Sequence, residues 1–193
     1  MLDSEQPNLR QVRRRKPLGL AQLRELAMNY VARFATSSGK LEAYLARKLR
    51  ERGWNEDEPA PDIPALVADF ASRGYVDDEA YARTRSEGLL ARGYGARRVG
   101  EALRQAGIGE SLREATAPGE AAARRAALRL AEKRRFGPFA LEQPDQQRRE
   151  KQLAAMLRAG HSFAHARLLV DLTSPEHARE WAEELDDDDD ATA

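Results

Sequence analysis

The 193-residue chain carries 32 basic and 32 acidic side chains, aromatic residues make up only 6% of it, and cysteine is absent. A composition dominated by Ala, Leu, Arg and Glu favours helix, and the lack of cysteine excludes disulfides, thiol nucleophiles and thiolate metal sites. The zero net charge hides an asymmetry: nine acidic residues and one Arg lie from Glu176 onward, leaving 31 basic against 23 acidic side chains in residues 1–175. A basic body of this kind points to a polyanionic partner.

Residues 1–19 read as a polar, basic, proline-punctuated arm. Arg13-Arg14-Arg15-Lys16 before Leu18-Gly19-Leu20 has the outline of a secretion signal, but Gln22, Arg24 and Glu25 cut the apolar stretch short. No later run reaches membrane-spanning length, so a cytoplasmic protein without membrane contact is expected. Helical periodicity begins near Leu20, with Leu23, Leu26, Ala27, Tyr30, Val31 and Phe34 on one face, and Thr36-Ser37-Ser38-Gly39 is expected to break it. The next helix uses Leu41, Tyr44, Leu45, Lys48 and Leu49 and stops at Gly53, a residue that accepts a left-handed backbone. After an acidic linker from Asn55 to Pro61, Asp62 caps a helix with Pro64 in its first turn and Ile63, Leu66, Val67 and Phe70 on its apolar side. Residues 20–76 thus predict a first three-helix repeat.

Asp77 is the expected cap of the following helix, with Asp78 and Glu79 complementing its dipole and Tyr81 and Leu89 toward its buried side. Gly93 and Gly95 bracket Tyr94 in a turn before a helix built on Val99, Ala102, Leu103 and Ala106, and a short helix from Glu110 to Ala115 closes a second repeat over residues 77–117. The third repeat, 118–173, opens after Pro118 with an Ala-rich helix to Arg135, breaks at Phe136-Gly137-Pro138 and resumes after Pro144. It ends in a helix capped by Ser162 and containing Phe163, Ala166, Leu169 and Val170. Ser174-Pro175 opens an appended helix reaching Leu185, and Asp186–Asp190 completes a terminal segment, 174–193, that reads either as a solubilising tail or as a competitor with the polyanionic partner for the basic surface of the body. No alternation of period two persists, so the fold class is all-α.

One cadence recurs: Leu45 to Leu49 runs to Gly53-Trp54, Val99 to Leu103 runs to Gly107-Ile108, and Leu153 to Met156 runs to Gly160. A module returning at a spacing of roughly fifty residues predicts a tandem helical array. In such an array each unit touches mainly its neighbours, and the whole offers an extended surface to a long partner.

The run Gly74-Tyr75-Val76-Asp77-Asp78-Glu79-Ala80-Tyr81-Ala82, followed by Gly93, Gly95, Arg98, Leu103 and Gly107-Ile108, resembles the RecX family of regulators of bacterial recombination. The likeness extends less strictly from Leu20 to Leu172. It implies three-helix repeats in an elongated, curved, right-handed-type monomer that binds the RecA recombinase filament together with single- and double-stranded DNA and modulates the recombinase, mostly as an inhibitor. Where the family's third repeat commonly has Arg-Gly-Phe, this chain has Ala159-Gly160-His161, with Phe163 two positions later. The motif residues Gly74, Tyr75, Asp77, Asp78, Tyr81, Gly93, Gly95, Leu103 and Gly107 each have a local structural explanation as turn, cap, core or helix stop.

Candidates for contact are basic: Arg92, Arg97, Arg98 and Arg104 around the middle helix, then Arg124, Arg125, Arg129, Lys133, Arg134 and Arg135, then Arg148, Arg149 and Lys151. Such side chains supply phosphate contacts without reading sequence. The plainer alternative is a solvated helix face, with Arg97 paired to Glu101 and Arg148 and Arg149 near Glu150. His161 and His165 stand four apart, as in zinc helices, but without the Glu of a His-Glu-x-x-His motif. Asp77-Asp78 could imitate a catalytic carboxylate pair, yet neighbouring helical positions diverge. With no phosphate-binding Gly-x-x-x-x-Gly-Lys-Ser/Thr loop either, no enzyme, metal or cofactor is expected. The competing classes are a helical DNA-binding protein without a recombinase partner and an interaction scaffold with solvated arginines.

Overall fold

Each helix begins where a short polar side chain, proline or glycine interrupts the apolar periodicity. Residues 16–184 are described in the structure, a computed structural model, and they form α1 (Leu20–Val31), α2 (Ser38–Arg52), α3 (Ile63–Ser72), α4 (Asp78–Leu90), α5 (Ala96–Gln105), α6 (Glu110–Ala115), α7 (Glu120–Arg134), a 3-10 turn (Gly137–Phe139), α8 (Gln146–Arg158), α9 (Phe163–Asp171) and α10 (Pro175–Glu183). The side chains of Ser37, Asp62, Asp77, Asp145, Ser162 and Ser174 accept backbone N–H groups at the starts of α2, α3, α4, α8, α9 and α10. Each satisfies a donor that the helix itself leaves unpaired. The helices that close on the recurring cadence end at Gly53, Gly107 and Gly160, with φ of 78°, 74° and 96°. The protein is all-α, and among the described residues no helix is long and apolar enough to cross a membrane.

The buried side chains divide into three cores. Leu18, Leu23, Leu41, Leu45, Leu66, Val67 and Phe70 fill the first, between α1, α2 and α3. Ala82, Leu89, Val99, Leu103, Ala106 and Ile108 make the second, between α4, α5 and α6. The third gathers Leu130, Met156, Leu169 and Val170 with the alanines 127, 131, 166 and 178, and α10 closes on α7 and the 3-10 turn. No single layer is thick, and the joints between units therefore carry much of the architecture.

Those joints repeat one device, in which backbone lies directly on backbone. The same device appears within the first unit, where the Gly53 carbonyl receives the Leu18 N–H at 2.9 Å and the Leu18 carbonyl receives the Asn55 N–H at 2.9 Å. At the joint between the first and second units the start of α2 lies on the end of α5: a Cβ on Gly39 would come 2.6 Å from the Gly107 Cα, and the Ser37 hydroxyl donates to the Ala106 carbonyl. Asp78 locks the same joint by accepting the Ser38 N–H at 2.8 Å. At the joint between the second and third units the start of α5 lies on the end of α8, where Gly95 and Arg97 donate to the carbonyls of Ala159 and Gly160 at 3.0 and 3.2 Å. A Cβ on Gly95 would overlap the Gly160 carbonyl.

Several expectations are corrected. From Lys16 onward the presumed arm is docked: Leu18 is fully buried and Arg52 donates to the Lys16 carbonyl, while residues 1–15 lie outside the described region. Ser38 and Gly39 belong to α2 and do not form a break; the interruption falls earlier, after Val31, and leaves Phe34 exposed outside α1. Phe163 is also exposed, at the first position of α9, where the core-facing turn has not yet begun.

Candidate functional site

Packing the units end on end leaves a groove at each joint. The groove between the first and second units has a volume of about 520 Å³ and is lined by Phe34, Lys40, Tyr75, Tyr81, Arg85 and Arg92, among others. Tyr81, Arg85, Gly88 and Arg92 recur at helical spacing along one face of α4 and its C-terminal turn, which is why they line one wall. The groove between the second and third units, about 270 Å³, is lined by Arg92, Tyr94, Lys133, Arg134, Phe136 and Arg158. Arg92 borders both: its Nε–H donates to the Gly88 carbonyl at 2.8 Å and its guanidinium lies 6.0 Å from the Tyr94 ring centroid. Together the two grooves form a cationic path with aromatic rings along it.

Of the basic residues singled out in the sequence, Arg92, Lys133 and Arg134 converge on this path. The others do not. Arg97 donates across the joint to the Leu157 carbonyl, and it is Arg98, not Arg97, that meets Glu101, at 3.4 Å. Arg124 is held between Glu120 and Glu184, both at 3.0 Å, and stacks 5.1 Å from the Trp181 ring centroid; it ties α10 to α7. Arg148 faces Glu142 at 3.9 Å and Arg149 donates to the Pro144 carbonyl, whereas Glu150 accepts from Gln146. Arg104, Arg129, Arg135 and Lys151 are exposed away from both grooves, and Arg125 is half-buried in α7. Sequence reasoning missed Lys40, Arg85 and Arg158. Arg85 was findable from its spacing to Tyr81 and Arg92; Lys40 and Arg158 depend on which helix ends meet.

The motif residues divide between scaffold and groove wall. Asp77 caps α4 through the Ala80 N–H at 2.9 Å, and Asp78, instead of merely facing the dipole, bridges to α2. Leu103 is buried. Gly74, Gly93 and Gly107 take positive φ, while Gly95 has ordinary φ and is needed for close approach alone. Tyr75 is 49% exposed and stands at the groove. The histidines do not share a helical face, because His161 precedes α9. His161 Nε2 meets the Gly93 carbonyl at 2.9 Å, whereas His165 Nε2 meets Glu120 at 2.8 Å. Burial holds His161 below the usual imidazole range, and Arg124, with His165 second, holds the Glu120 carboxyl below the usual carboxylate range.

Residues 77–116, the stretch from the α4 cap to the end of α6, match the family model for the second three-helix domain of RecX. The regulatory protein RecX of Myxococcus xanthus (strain DK1622) is 31% identical over 157 residues, an alignment spanning 77% of this chain and 84% of that protein. The chain belongs to the RecX family. RecX proteins form a family of regulatory proteins, and two solved members share this fold. A crystal structure of regulatory protein RecX superposes with a TM-score of 0.60 at 20% identity over 79% of this chain and 71% of that one. RecX from Lactobacillus salivarius gives 0.60 at 17% identity over 79% and 95%.

Proposed function

We propose that this RecX-family chain regulates the RecA recombinase without enzymatic activity of its own, lying as a monomer along the RecA–DNA filament in the cytoplasm. The observation that supports this most is the cationic lining of the grooves at both unit joints, with Arg92 shared between them. Lys133, Arg134 and Arg158, which line the second groove, would meet phosphates of either single- or double-stranded DNA, and such contacts position a protein without reading sequence. Three units, taken as residues 20–76, 77–117 and 118–173, would engage successive filament protomers. Several modest contacts acting together then give avidity. Occupancy of this kind blocks strand exchange or filament growth, and any ATP turnover belongs to the recombinase.

The test is a titration of the purified chain into RecA assembled on single-stranded DNA, following ATP hydrolysis and strand exchange, with naked-DNA binding measured across salt. Inhibition at concentrations well below DNA saturation is expected. Binding to naked DNA with no effect on the recombinase would instead identify a DNA-binding protein without that partner.

A further inference from the structure

Phosphate contact does not account for the aromatic rings in the groove between the first and second units. Phe34 is 57% exposed and Tyr75 is 49% exposed, and both line it. Each ring is backed from behind: Phe34 leans on Tyr30 with centroids 5.2 Å apart, and Tyr75 leans on the buried Phe70 at 5.6 Å. The rings are thus held in place at the water interface, although hydrophobic side chains of this size ordinarily gain from burial. Lys40, Arg85 and Arg92 line the same groove. Arg85 has no ion-pair partner among the described residues, and Asp77, whose Oδ1 caps α4, is the one carboxylate among the groove's lining residues.

We propose that this groove is a base-stacking site for single-stranded nucleic acid. Tyr75 and Phe34 stack unpaired bases, while Lys40, Arg85 and Arg92 follow the phosphates. Stacking on an aromatic platform in a cationic groove is tolerant of sequence, because every base has a π-face. A duplex keeps its bases stacked on each other and offers none to these rings. The excess of cations over available carboxylates favours a polyanion here over an apolar segment of a protein. This site rests on the proposed DNA contact and specifies its strand preference.

The experiment uses the full chain and fluorescence anisotropy with labelled oligo-dT, an abasic oligomer of the same length and a duplex, each across salt. Oligo-dT is expected to bind about tenfold more tightly than the abasic strand. Tyr75→Ala and Phe34→Ala should each narrow that gap, leaving abasic affinity and salt slope unchanged, and Tyr75→Phe should retain it. Circular dichroism melting of each variant checks the fold; the Tyr75 N–H bond to the Phe70 carbonyl does not involve the side chain and survives every substitution. If no oligomer binds even at low salt, the DNA contact itself is wrong and this site falls with it. Strands that bind without dependence on bases overturn the stacking site alone. So does a Tyr75→Ala variant that binds recombinase less well while its oligo-dT affinity is unaltered, since the groove would then seat a protein segment.

Discussion

Glycine is demanded at the joints by two separate kinds of geometry. At Gly107 and Gly160 φ is positive, a region that costs an L side chain strain; at Gly39 and Gly95 the neighbouring backbone occupies the space a Cβ would need. Gly100 differs from all of these, lying inside α5 with open space where a Cβ would go. Gly39→Ala should therefore destabilise the protein by about 1–3 kcal/mol through overpacking, whereas Gly100→Ala should stabilise it by about 0.5–1 kcal/mol through lower unfolded-state freedom and better helix propensity. Denaturant unfolding of the two variants beside the parent decides this, and equal effects of the same sign would refute the joint geometry. The helix-ending role of Gly53, Gly107 and Gly160 was legible in the sequence because it is local. The close approach at Gly39 and Gly95 was not, because the atoms they meet lie some sixty-five residues away in the chain. Phe34 and Phe163 show the complementary failure: hydrophobic periodicity marks a face, but whether another element covers it is decided by packing.

Among elements, the contact of α5 with α8 contains a titratable lock. The Gly93 carbonyl can only accept, so the neutral His161 ring donates through Nε2–H, and its buried Nδ1 is a bare lone pair without a partner among the described residues. Protonation would place a new N–H in that unpaired, desolvated position, and burial accordingly lowers the His161 pKa. A pKa lower in the folded state than in the unfolded chain means that stability is fully present above about pH 6.5 and is lost as pH falls through the window below it. Between pH 7.5 and 5.5 the parent should lose more stability than His161→Gln, which keeps a donor for Gly93 without adding a proton. Identical losses in both proteins would show that His161 does not contribute. At this scale the helices and their caps were readable from sequence, since Asp62, Asp77, Ser162 and Ser174 act within one turn. The long-range partners of the arginines were not: Arg97 bonds the Leu157 carbonyl and Arg124, besides its local pair with Glu120, bonds the Trp181 carbonyl, at sequence separations of 60 and 57 residues.

At the level of the whole molecule, three thin cores joined backbone to backbone give an array with a groove at each joint. The tandem organisation was visible in the glycine cadence, and the middle unit carried the family motif. The cationic path was only partly visible, because a basic composition names candidates and the joints choose among them. On this account Arg92, Lys133, Arg134 and Arg158 do the work of binding, and Arg148 and Lys151, equally basic but outside the grooves, do not. The most direct measurement compares two charge reversals in the recombinase titration: Arg92→Glu, Lys133→Glu, Arg134→Glu and Arg158→Glu together, against Arg148→Glu and Lys151→Glu. With helicity unchanged, the groove variant should need about tenfold or more additional protein for half-inhibition, given the steep dependence of such contacts on charge, while the second variant stays close to the parent. Full inhibition by the groove variant, or an equal loss in both, would contradict the assignment of the joints as the binding surface.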